Sequence, residues 1–377
     1  MRRVLHLITT LQSGGAQAML ANLCRHASTP RRVEHVVVEM TASRAQDLRR
    51  FEQSGVRLHS LGMVRGRASI GALVRFVRLL RRERPDIVQT WLYHADLLGL
   101  VALPVLRVPL VWNVRCSWHV GIDAQVPRLC ARLSRLPTTV IVNSRAGQEV
   151  HSRLGYRPRR WCLIGNGFDL DVFKPDALAR LRLRQDIGVD AGAELIGIVG
   201  RWDANKDYQT FLSAAGMLAR TRRDAHFVLV GEGLVAENAQ LRELIPRELP
   251  MGRVHLLGWR PDVGRVTAAF DLATSTSVGE GFPNAVGEAM AAGVPCVVTD
   301  VGDVAELVAD SGMVVPPRSP EAVAAAWGRL LSLGPEALHV LGARARDRIS
   351  RHYTIDAIVG QYEALYDELA ADARRAR

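Results

Sequence analysis

The feature that most constrains this chain is an alternation of short, β-branched apolar runs with segments of helical length, and the series occurs twice. Strands that alternate with helical segments are typical of parallel sheets with crossover helices. A stretch that contains prolines and charges, residues 173–190, separates the two series. We therefore predict two doubly wound α/β domains that face each other across a cleft, with ligands at the carboxyl ends of the strands. The predicted strands are residues 4–8, 33–39, 86–91, 110–114, 139–143, 161–164, 195–199, 226–230, 254–257, 271–274, 296–299 and 313–315.

The length and composition fit this architecture. A chain of 377 residues suits two domains of roughly 150–200 residues, and 48% hydrophobic residues can fill two cores. Five scattered cysteines without a C-x-x-C pair indicate reduced thiols and argue against a structural zinc site. The longest apolar stretch, residues 97–106, is well short of the roughly 20 residues that a membrane span needs. We expect a cytoplasmic protein that does not cross a bilayer, and a first apolar run that is a strand rather than a signal peptide.

The last segment has the clearest helical pattern. Thr354 is a good N-cap residue, and the apolar residues from Ile355 to Leu369 return at helical spacing. This pattern predicts one helix of about 20 residues with a single apolar stripe. It leaves open whether the helix packs on the second domain or returns to the first.

Charge is divided unevenly along the chain. Residues 1–175 hold 27 Lys or Arg against 11 Asp or Glu, whereas the remainder holds 22 against 27. The arginine-rich amphipathic pattern at residues 73–84 is either a solvated helix face or a surface attracted to a membrane or a polyphosphate. Nucleic acid is a poor candidate because only 6% of residues are aromatic and no helix-turn-helix, RNP or zinc-finger pattern is present.

Two glycine-marked turns carry candidate phosphate ligands. Gly14 and Gly15 follow the first predicted strand and precede a helix, a geometry that brings backbone N–H groups near an anion. A glycine pair also suits any tight strand-to-helix loop, so this pattern is a weak indicator. Arg201 and Lys206 follow the strand at 195–199, and Lys206 is one of 2 lysines against 47 arginines. A guanidinium fork and an ammonium at one strand end can clamp a diphosphate, although two surface cations would give the same pattern.

A third turn begins at Glu280 and leads into a predicted helix that contains Glu288 and ends at Gly293. The neighbours of Glu288 are small and apolar, so its carboxylate needs partners such as two vicinal sugar hydroxyls. Glu280, with the N–H groups of Gly281 and Phe282, is placed to hold a second polyol. The simpler alternative is a helix-capping acid together with a solvated acid.

Together these segments resemble glycosyltransferase family 4, whose members are retaining enzymes of the GT-B fold. The resemblance rests on EGFPNAVGEAMAAGVPCVVTDVG with its Glu-x7-Glu spacing, on VGRWDANKDY, on IGNGFDLDVFKP and on SGGAQ. It covers nearly the whole chain. It implies two Rossmann-like domains: residues 1–172 on the acceptor side, completed by a helix at 354–377, and residues 173–353, which bind the nucleotide sugar.

The resemblance implies a role for each acid of the third turn. Glu288 matches the acid that binds the ribose hydroxyls of the donor nucleotide. Glu280 matches the acid that contacts the transferred sugar, helped by backbone N–H groups around Gly281, Phe282 and Asn284. Such enzymes need neither a cofactor nor a divalent metal, which agrees with the lack of a D-x-D pair beside these motifs. The nucleotide sugar is a co-substrate, and we expect a UDP-sugar rather than a GDP-sugar.

The cations have matching roles in the resemblance. Arg201 and Lys206 correspond to the groups that neutralise the donor diphosphate, and Gly15, next to Gly14, lies where the first loop approaches it. Cleavage of the anomeric C–O bond leaves a diphosphate of growing negative charge, which cations and helix N-termini stabilise. Retention fits a front-face reaction in which the departing phosphate helps to take the acceptor proton, without a covalent carboxylate nucleophile.

The first domain departs from the family at one position. Many relatives carry a histidine after a strand-end motif near the reacting carbon, where this chain has Arg115. His94 and His119 are the nearby histidines, and we take His94 as the catalytic candidate ahead of His119, although a lone histidine is more often structural. Arg115 would instead contact the leaving phosphate or an anionic acceptor.

The sequence thus predicts a retaining glycosyltransferase of cell-surface polysaccharide or glycolipid biosynthesis. The basic first half and the stretch 97–106 suggest a lipid-linked saccharide acceptor and peripheral contact with the anionic inner face of the cytoplasmic membrane. Two alternatives stay open: a sugar-nucleotide epimerase of the same fold, and a non-catalytic, membrane-associated sugar-nucleotide binder. A dinucleotide dehydrogenase is disfavoured because residues 230–236 (VGEGLVA) fit its glycine pattern only loosely.

Overall fold

A computed structural model describes residues 1–12, 14–26, 32–52, 54–67, 69–115 and 125–375 of the chain. These residues form two compact units. Unit 1 comprises Met1–Gly167 and Ile355–Arg377, and unit 2 comprises Phe168–Thr354. The corresponding boundaries predicted from the sequence lie after residues 172 and 353.

Unit 1 is built on a parallel sheet. Its described strands are β1 (Arg2–Ile8), β2 (Val33–Glu39), β3 (Arg57–Ser60), β4 (Ile87–Trp91), β5 (Leu110–Val114), β6 (Thr139–Val142) and β7 (Trp161–Leu163). They lie in the order β3-β2-β1-β4-β5-β6-β7. The direction of the winding reverses between β1 and β4, and the carboxyl ends of the strands at such a point form the usual ligand site of a doubly wound sheet.

Unit 2 contains a second parallel sheet. Its strands are β8 (Glu194–Val199), β9 (Ala225–Val230), β10 (Val254–Gly258), β11 (Leu272–Ser275), β12 (Cys296–Thr299) and β13 (Gly312–Val315). They lie in the order β10-β9-β8-β11-β12-β13, so the winding reverses between β8 and β11. The prediction of two doubly wound parallel sheets is confirmed.

One strand, β3, is not among the predicted strands. Its four residues, Arg57-Leu58-His59-Ser60, contain one apolar residue, so no local pattern predicts a strand. β3 pairs in register with β2, from Val36 opposite Arg57 to Glu39 opposite Ser60. Pairing with its neighbour, rather than residue propensity, makes this segment extended.

Helices connect the strands of both units. The described helices are α1 (Gly15–Arg25), α2 (Ala45–Glu52), α3 (Ile70–Glu83), α4 (Tyr93–Gly99), α5 (Ala102–Leu106), α6 (Gln125–Leu133), α7 (Arg145–Leu154), α8 (Ala177–Asp186), α9 (Tyr208–Ala219), α10 (Ala239–Glu243), α11 (Val263–Ala268), α12 (Asn284–Ala291), α13 (Val304–Val308), α14 (Pro320–Leu331), α15 (Pro335–His352) and α16 (Ile355–Arg375). The stretch 173–190, which separates the two strand series, therefore contains α8. It belongs to unit 2.

The sheet of unit 1 separates two hydrophobic cores. Along β1, Val4 and Ile8 contribute to one core while Leu5 and Leu7 contribute to the other, as the alternation of side chains in a strand requires. The apolar stripe of α16 lies in the first core. The terminal helix therefore completes unit 1, which resolves the alternative that its pattern left open.

Two further expectations concern the membrane and the cysteines. Within the described ranges, no helix combines the length and the apolar character that a bilayer span requires. The described cysteines, Cys24, Cys130, Cys162 and Cys296, form no disulfide. Cys116 lies outside the described residues.

Candidate active site

The loop after β8 carries the predicted cations, and the helix that follows holds it in place. The chain passes through a 3-10 turn, Ala204–Lys206, and Asp207 then caps α9 in a left-handed conformation with φ 47°. Tyr208 donates its hydroxyl proton to the carbonyl oxygens of Gly200 at 2.9 Å and Arg201 at 3.0 Å. These contacts fix the backbone at the carboxyl end of β8.

The glycine pattern after β9 serves the same loop. A Cβ at Gly231 would overlap the carbonyl of Gly200, and a Cβ at Gly233 would overlap the side chain of Trp202. Both glycines also have positive φ, at 149° and 81°. Their lack of a side chain therefore allows the two loops to pack closely, which accounts for the pattern without a dinucleotide.

The loop between β11 and α12 is joined to the cation-bearing loop by hydrogen bonds. The side-chain amide of Asn205 donates to the carbonyl of Gly279 at 3.0 Å, and the N–H of Val278 donates to the carbonyl of Asn205 at 2.9 Å. The hydroxyl of Thr276 donates to the carbonyl of Lys206 at 2.8 Å. Two segments that the sequence presents as separate motifs are therefore one structure.

Because the two loops are joined, Lys206 contacts Glu280, and both residues were predicted for the site. Lys206 Nζ lies 2.5 Å from Glu280 Oε1, and the hydroxyl of Ser277 donates to the same oxygen at 2.7 Å. The two charged side chains are 26% and 14% exposed, so the pair is partly desolvated. A lysine ammonium has three hydrogen-bond donors, and the contact with Glu280 uses only part of this capacity.

Glu288 lies half-buried in α12, as the sequence predicted. Burial raises the pKa of Glu288 to about 7, and the charge of Lys206 offsets part of this effect. Within the described part of the chain, its carboxylate has no hydrogen-bond partner. A ligand that donates hydrogen bonds to this carboxylate would stabilise its ionised form.

The position of α12 depends on an aromatic contact within unit 2. The ring of Phe282 stacks on that of Phe168 with the centroids 6.2 Å apart. A Cβ at Gly287 would overlap the ring of Phe168, so the glycine allows the helix to approach it. Gly281 is buried and Asn284 begins the helix. The backbone groups named by the sequence analysis therefore lie in the turn that opens α12.

Arg201 is held differently from Lys206. Its Nε and Nη2 donate to one carboxylate oxygen of Asp203, at 3.1 and 2.9 Å, and 62% of the Arg201 side chain is exposed. An exposed pair of this kind contributes little to stability. The two cations leave the same strand end, and each is paired with a different acid.

Unit 1 presents the predicted glycine loop at the carboxyl end of β1. Gly14 immediately precedes α1, which begins at Gly15 and has no acidic residue in its first turn. The side-chain amide of Gln17 donates to the carbonyl of Thr10 at 3.1 Å, which ties the loop to the helix. Ser13 lies outside the described residues. The positive end of the helix dipole is therefore not compensated by an acid of the first turn.

His94 is exposed in the first turn of α4, directly after β4. Leu92, which precedes this helix, has φ 75° and ψ 154°, a region that is essentially restricted to glycine. On the same helix the buried Asp96 accepts a hydrogen bond from the hydroxyl of Thr90, and burial raises the pKa of Asp96 well above its usual value. The strained backbone at Leu92 and the Thr90–Asp96 contact therefore set the position of His94 after β4.

Arg115 lies directly after β5 and is buried. Its Nη1 donates to the hydroxyl of Tyr362 at 2.9 Å, and its guanidinium lies over the ring of Trp91, 5.4 Å from the centroid. The side-chain amide of Asn113 also donates to Tyr362, at 3.0 Å. Tyr362 is not among the predicted site residues, because its place in the apolar stripe of α16 predicts packing alone. His119 lies outside the described residues.

The candidate residues thus form separate sets in the two units. Unit 2 brings together Lys206, Glu280 and Glu288. In unit 1, Gly14, His94 and Arg115 follow β1, β4 and β5, which are neighbouring strands. Across the ranges that the structure describes, no group of three or more His, Cys, Asp or Glu is placed to hold a metal ion.

Both units match known families. A family described as Glycosyltransferase Family 4 matches residues 13–172, and one described as Glycosyl transferases group 1 matches residues 193–333. The chain is 25% identical over 316 residues to the UDP-Gal:alpha-D-GlcNAc-diphosphoundecaprenol alpha-1,3-galactosyltransferase of Escherichia coli, with 80% of each chain covered. It is 33% identical over 235 residues to the D-inositol 3-phosphate glycosyltransferase of Geodermatophilus obscurus, over 59% of this chain and 51% of that one.

The fold also resembles a solved structure. Anabaena HepE in complex with UDP and glucose superposes with a TM-score of 0.85 at 23% identity, over 98% of this chain and 100% of that one. At this identity the likeness concerns the fold alone. It confirms the GT-B fold that the sequence predicted.

Proposed function

We propose that this chain, which belongs to the group 1 glycosyltransferases and is a transferase enzyme, moves a sugar with retention from a nucleoside diphosphate sugar to an acceptor hydroxyl. The observation that carries the proposal is the cluster of Lys206, Glu280 and Glu288 at the carboxyl end of the unit 2 sheet. An ammonium beside two carboxylates offers one group for a diphosphate and two for sugar hydroxyls.

In this proposal Glu288 binds the ribose hydroxyls of the donor. Its half-buried carboxylate has a raised pKa and no hydrogen-bond partner among the residues described. Two vicinal hydroxyls would donate to its two oxygens and favour the ionised form. Donor binding would therefore lower the pKa of Glu288 toward its usual value.

Lys206 and Arg201 bind the donor diphosphate. The remaining donors of the Lys206 ammonium bind a phosphate oxygen while Glu280 keeps the ammonium in place. The other carboxylate oxygen of Glu280 accepts hydrogen bonds from hydroxyls of the transferred sugar, together with backbone groups around Gly281 and Asn284. Each charged group of the cluster thus has one partner in the donor.

The reaction follows from where charge develops. The anomeric C–O bond breaks, the nucleoside diphosphate departs with the bonding electrons, and the sugar becomes oxocarbenium-like. Lys206 and Arg201 stabilise the departing anion. The acceptor oxygen attacks from the face that the diphosphate leaves, and its proton passes to a phosphate oxygen. Configuration is retained without a covalent enzyme intermediate.

Unit 1 supplies the acceptor side in this proposal. His94, which is exposed after β4, acts near the reacting carbon. The N-terminus of α1 at Gly14 and Gly15 approaches phosphate, because helix N-termini favour negative charge. Arg115 contacts an anionic group of a substrate.

The proposed substrates are a UDP-sugar, rather than a GDP-sugar, and a saccharide or lipid-linked saccharide of cell-surface polysaccharide or glycolipid synthesis. HepE binds UDP, and the relative in Escherichia coli is named for UDP-Gal and for an acceptor linked to diphosphoundecaprenol. The relative in Geodermatophilus obscurus is named for D-inositol 3-phosphate. These names support an acceptor that carries phosphate.

We also propose that unit 1 contacts the anionic inner face of the cytoplasmic membrane. Val64, Ile70 and Val74 are exposed at or near the start of α3, the helix that also carries the exposed Arg78. The stretch 97–106 instead packs largely against the core of unit 1. The α3 surface, defined as Val64, Ile70, Leu73 and Val74 with the arginines of α3, therefore replaces residues 97–106 as the membrane contact.

Nucleotide binding and product analysis test the proposal. UDP is expected to raise the Tm of the protein more than GDP or ADP does, because a ligand stabilises the folded state that binds it. With a UDP-sugar and a lipid-linked saccharide, the expected products are UDP and a glycoside with the anomeric configuration of the donor. An isomerised donor alone would indicate an epimerase, and nucleotide binding without any product would indicate a binding protein. No Tm shift with any of the three nucleotides would overturn the assignment of the donor site.

A further inference from the structure

Unit 1 contains a buried arginine, Arg115, that has no carboxylate partner among the described residues. Arg115 follows β5 directly and is 8% exposed. Among the described residues, no Asp or Glu oxygen lies within 4.0 Å of its guanidinium nitrogens. The groups of the described chain that contact this charge are therefore all neutral.

Three neutral side chains of the described chain contact this guanidinium. Nη1 donates to the hydroxyl of Tyr362 at 2.9 Å and to the side-chain oxygen of Asn113 at 3.4 Å. The ring of Trp91 lies beneath the guanidinium, 5.4 Å away. Nη2 is buried and has no hydrogen-bond partner in the part of the chain that the structure describes. Nη1 is thus held by two hydrogen bonds, while Nη2 has no acceptor among the described residues.

A second buried arginine shows the usual structural arrangement. Arg184, in α8 of unit 2, is 1% exposed, and its Nη2 lies 2.7 Å from a carboxylate oxygen of Asp271. It also donates to the carbonyls of Ala193 at 2.8 Å and Ala269 at 3.0 Å. Burying an arginine is costly unless its charge is compensated in this way. Arg115 has no such compensation from the residues that the structure describes, which points to a ligand as its counter-ion.

We propose that Arg115 is the receptor for a phosphoryl group of the acceptor, with Tyr362 as the positioning residue that holds its guanidinium. The inference rests on the proposed function, in which Lys206 and Arg201 of unit 2 bind the donor diphosphate. A guanidinium presents paired N–H groups that match two phosphate oxygens. The unsatisfied Nη2 of Arg115 is the donor left for that contact, and no neighbouring acid of the described chain competes for it.

The terminal helix gains a role in substrate recognition from this arrangement. Tyr362 stacks on Trp91 with the ring centroids 6.3 Å apart and also binds both Arg115 and Asn113. Phenylalanine at this position would keep the stacking and lose both hydrogen bonds. Tyr362→Phe therefore tests the positioning of Arg115 separately from the packing of α16.

The experiment titrates the full chain with inorganic pyrophosphate in the presence of saturating UDP, which fills the donor site. The wild-type protein is expected to bind pyrophosphate, and Arg115→Met to lose affinity about tenfold or more, because hydrogen bonds to a charged group are lost. Arg115→Lys keeps the charge without the fork and is expected to bind at an intermediate affinity. Tyr362→Phe is expected to weaken binding several-fold. The matched control is Arg153→Met, which removes an 80% exposed arginine of the same unit and leaves the affinity unchanged.

A UDP titration of the same variants distinguishes acceptor from donor phosphate. Arg115→Met is expected to bind UDP as the wild type does, and a weaker UDP affinity would assign Arg115 to the donor and overturn the proposal. Unchanged pyrophosphate affinity in both Arg115→Met and Tyr362→Phe would overturn it as well. If the wild type binds no UDP, the proposed function fails separately, and the pyrophosphate titration without UDP still reports on Arg115.

Thermal unfolding excludes a purely structural role. Removal of an uncompensated buried charge is expected to leave the Tm of Arg115→Met unchanged or raised. A lowered Tm together with unchanged pyrophosphate affinity would make Arg115 a structural residue and contradict the inference.

Discussion

The two units hold the cations of the proposed site in different ways. In unit 2 the ammonium of Lys206 already contacts Glu280 at 2.5 Å, so its charge is compensated within the protein. In unit 1 the guanidinium of Arg115 lies among neutral groups, and its Nη2 has no partner within the described ranges. A paired cation is positioned before the ligand arrives, whereas an unpaired buried cation destabilises the free protein and gains its counter-ion on binding. A positive charge can thus be paired within the protein or left to be neutralised by a bound ligand.

The largest expected effect on activity comes from removing Lys206, the paired cation. Lys206→Ala removes the group assigned to the leaving diphosphate, and we expect kcat to fall by about 10²–10³-fold, as when one preorganised charge stabiliser is lost. The measurement is initial-rate kinetics with the native donor and acceptor, with circular dichroism to confirm folding.

The chain offers a matched control for this variant. Lys174, the other lysine, is exposed, and Lys174→Ala is expected to leave kcat unchanged. Unchanged turnover in Lys206→Ala would contradict the role of Lys206 at the diphosphate.

The second prediction compares the two buried arginines directly. Arg184→Met removes one partner of Asp271, which keeps Arg180 and the N–H of Leu195, and it takes a donor from the buried carbonyls of Ala193 and Ala269. We expect the free energy of unfolding to fall by about 2 kcal/mol, as is typical when buried acceptors lose a charged donor. Arg115→Met removes an unpaired charge and is expected to cause no loss. Urea unfolding of both variants measures the difference, and equal destabilisation would remove the contrast between the two arginines.

The third prediction concerns Glu288, whose pKa is raised to about 7 from an ordinary value of 4.5. Between these values the folded protein holds a proton that the unfolded chain releases, so the stability from this group is complete below the lower value and is lost as pH rises through the higher one. Glu288→Gln is expected to flatten the decline in unfolding free energy between about pH 5 and pH 8 by on the order of 2 kcal/mol.

Urea unfolding at a series of pH values checks this prediction. Glu336→Gln, at an exposed position in the first turn of α15, is the control and should keep the wild-type decline. The same decline in Glu288→Gln and wild type would show that the pKa of Glu288 is not raised in the folded protein.

The smallest effect is expected at the α3 surface of unit 1. Replacing two of its exposed residues in Ile70→Ser/Val74→Ser is expected to lower sedimentation with anionic vesicles by about fivefold, because less apolar surface enters the interface. Val340→Ser, at a 53% exposed aliphatic residue of unit 2, is the control. Failure of the wild type to bind such vesicles at low or high salt would remove the membrane contact.

Local sequence patterns predicted the sheets well, for a physical reason. The run from Val4 to Ile8 is buried on both faces of the sheet, so it is continuously apolar apart from His6 and can be recognised on its own. β3 has no such run, because an edge strand that is partly exposed is held by pairing with β2 rather than by its own side chains. The sequence also does not predict which unit α16 packs on, because an amphipathic stripe predicts burial without specifying the surface that buries it.

The candidate site shows the same division. Glu280, Glu288 and Lys206 are found from spacing and from resemblance, because chemistry restricts the residue types at those positions. Tyr362 is not, since a tyrosine within an apolar stripe looks like core until its hydroxyl is seen to bind Arg115. The burial that raises the pKa of Glu288 is also invisible in the sequence, because residues distant along the chain produce it.

The sequence by itself determined the alternation of strands and helices, the repeated parallel sheets and which acids and cations are candidates for the proposed site. The tertiary structure alone decided that Lys206 contacts an acid 74 residues away, and that a helix after unit 2 supplies the tyrosine that holds Arg115 in unit 1. Propensity and spacing act over one or two turns of chain, whereas charge compensation and burial depend on distances in space that only the packed fold sets.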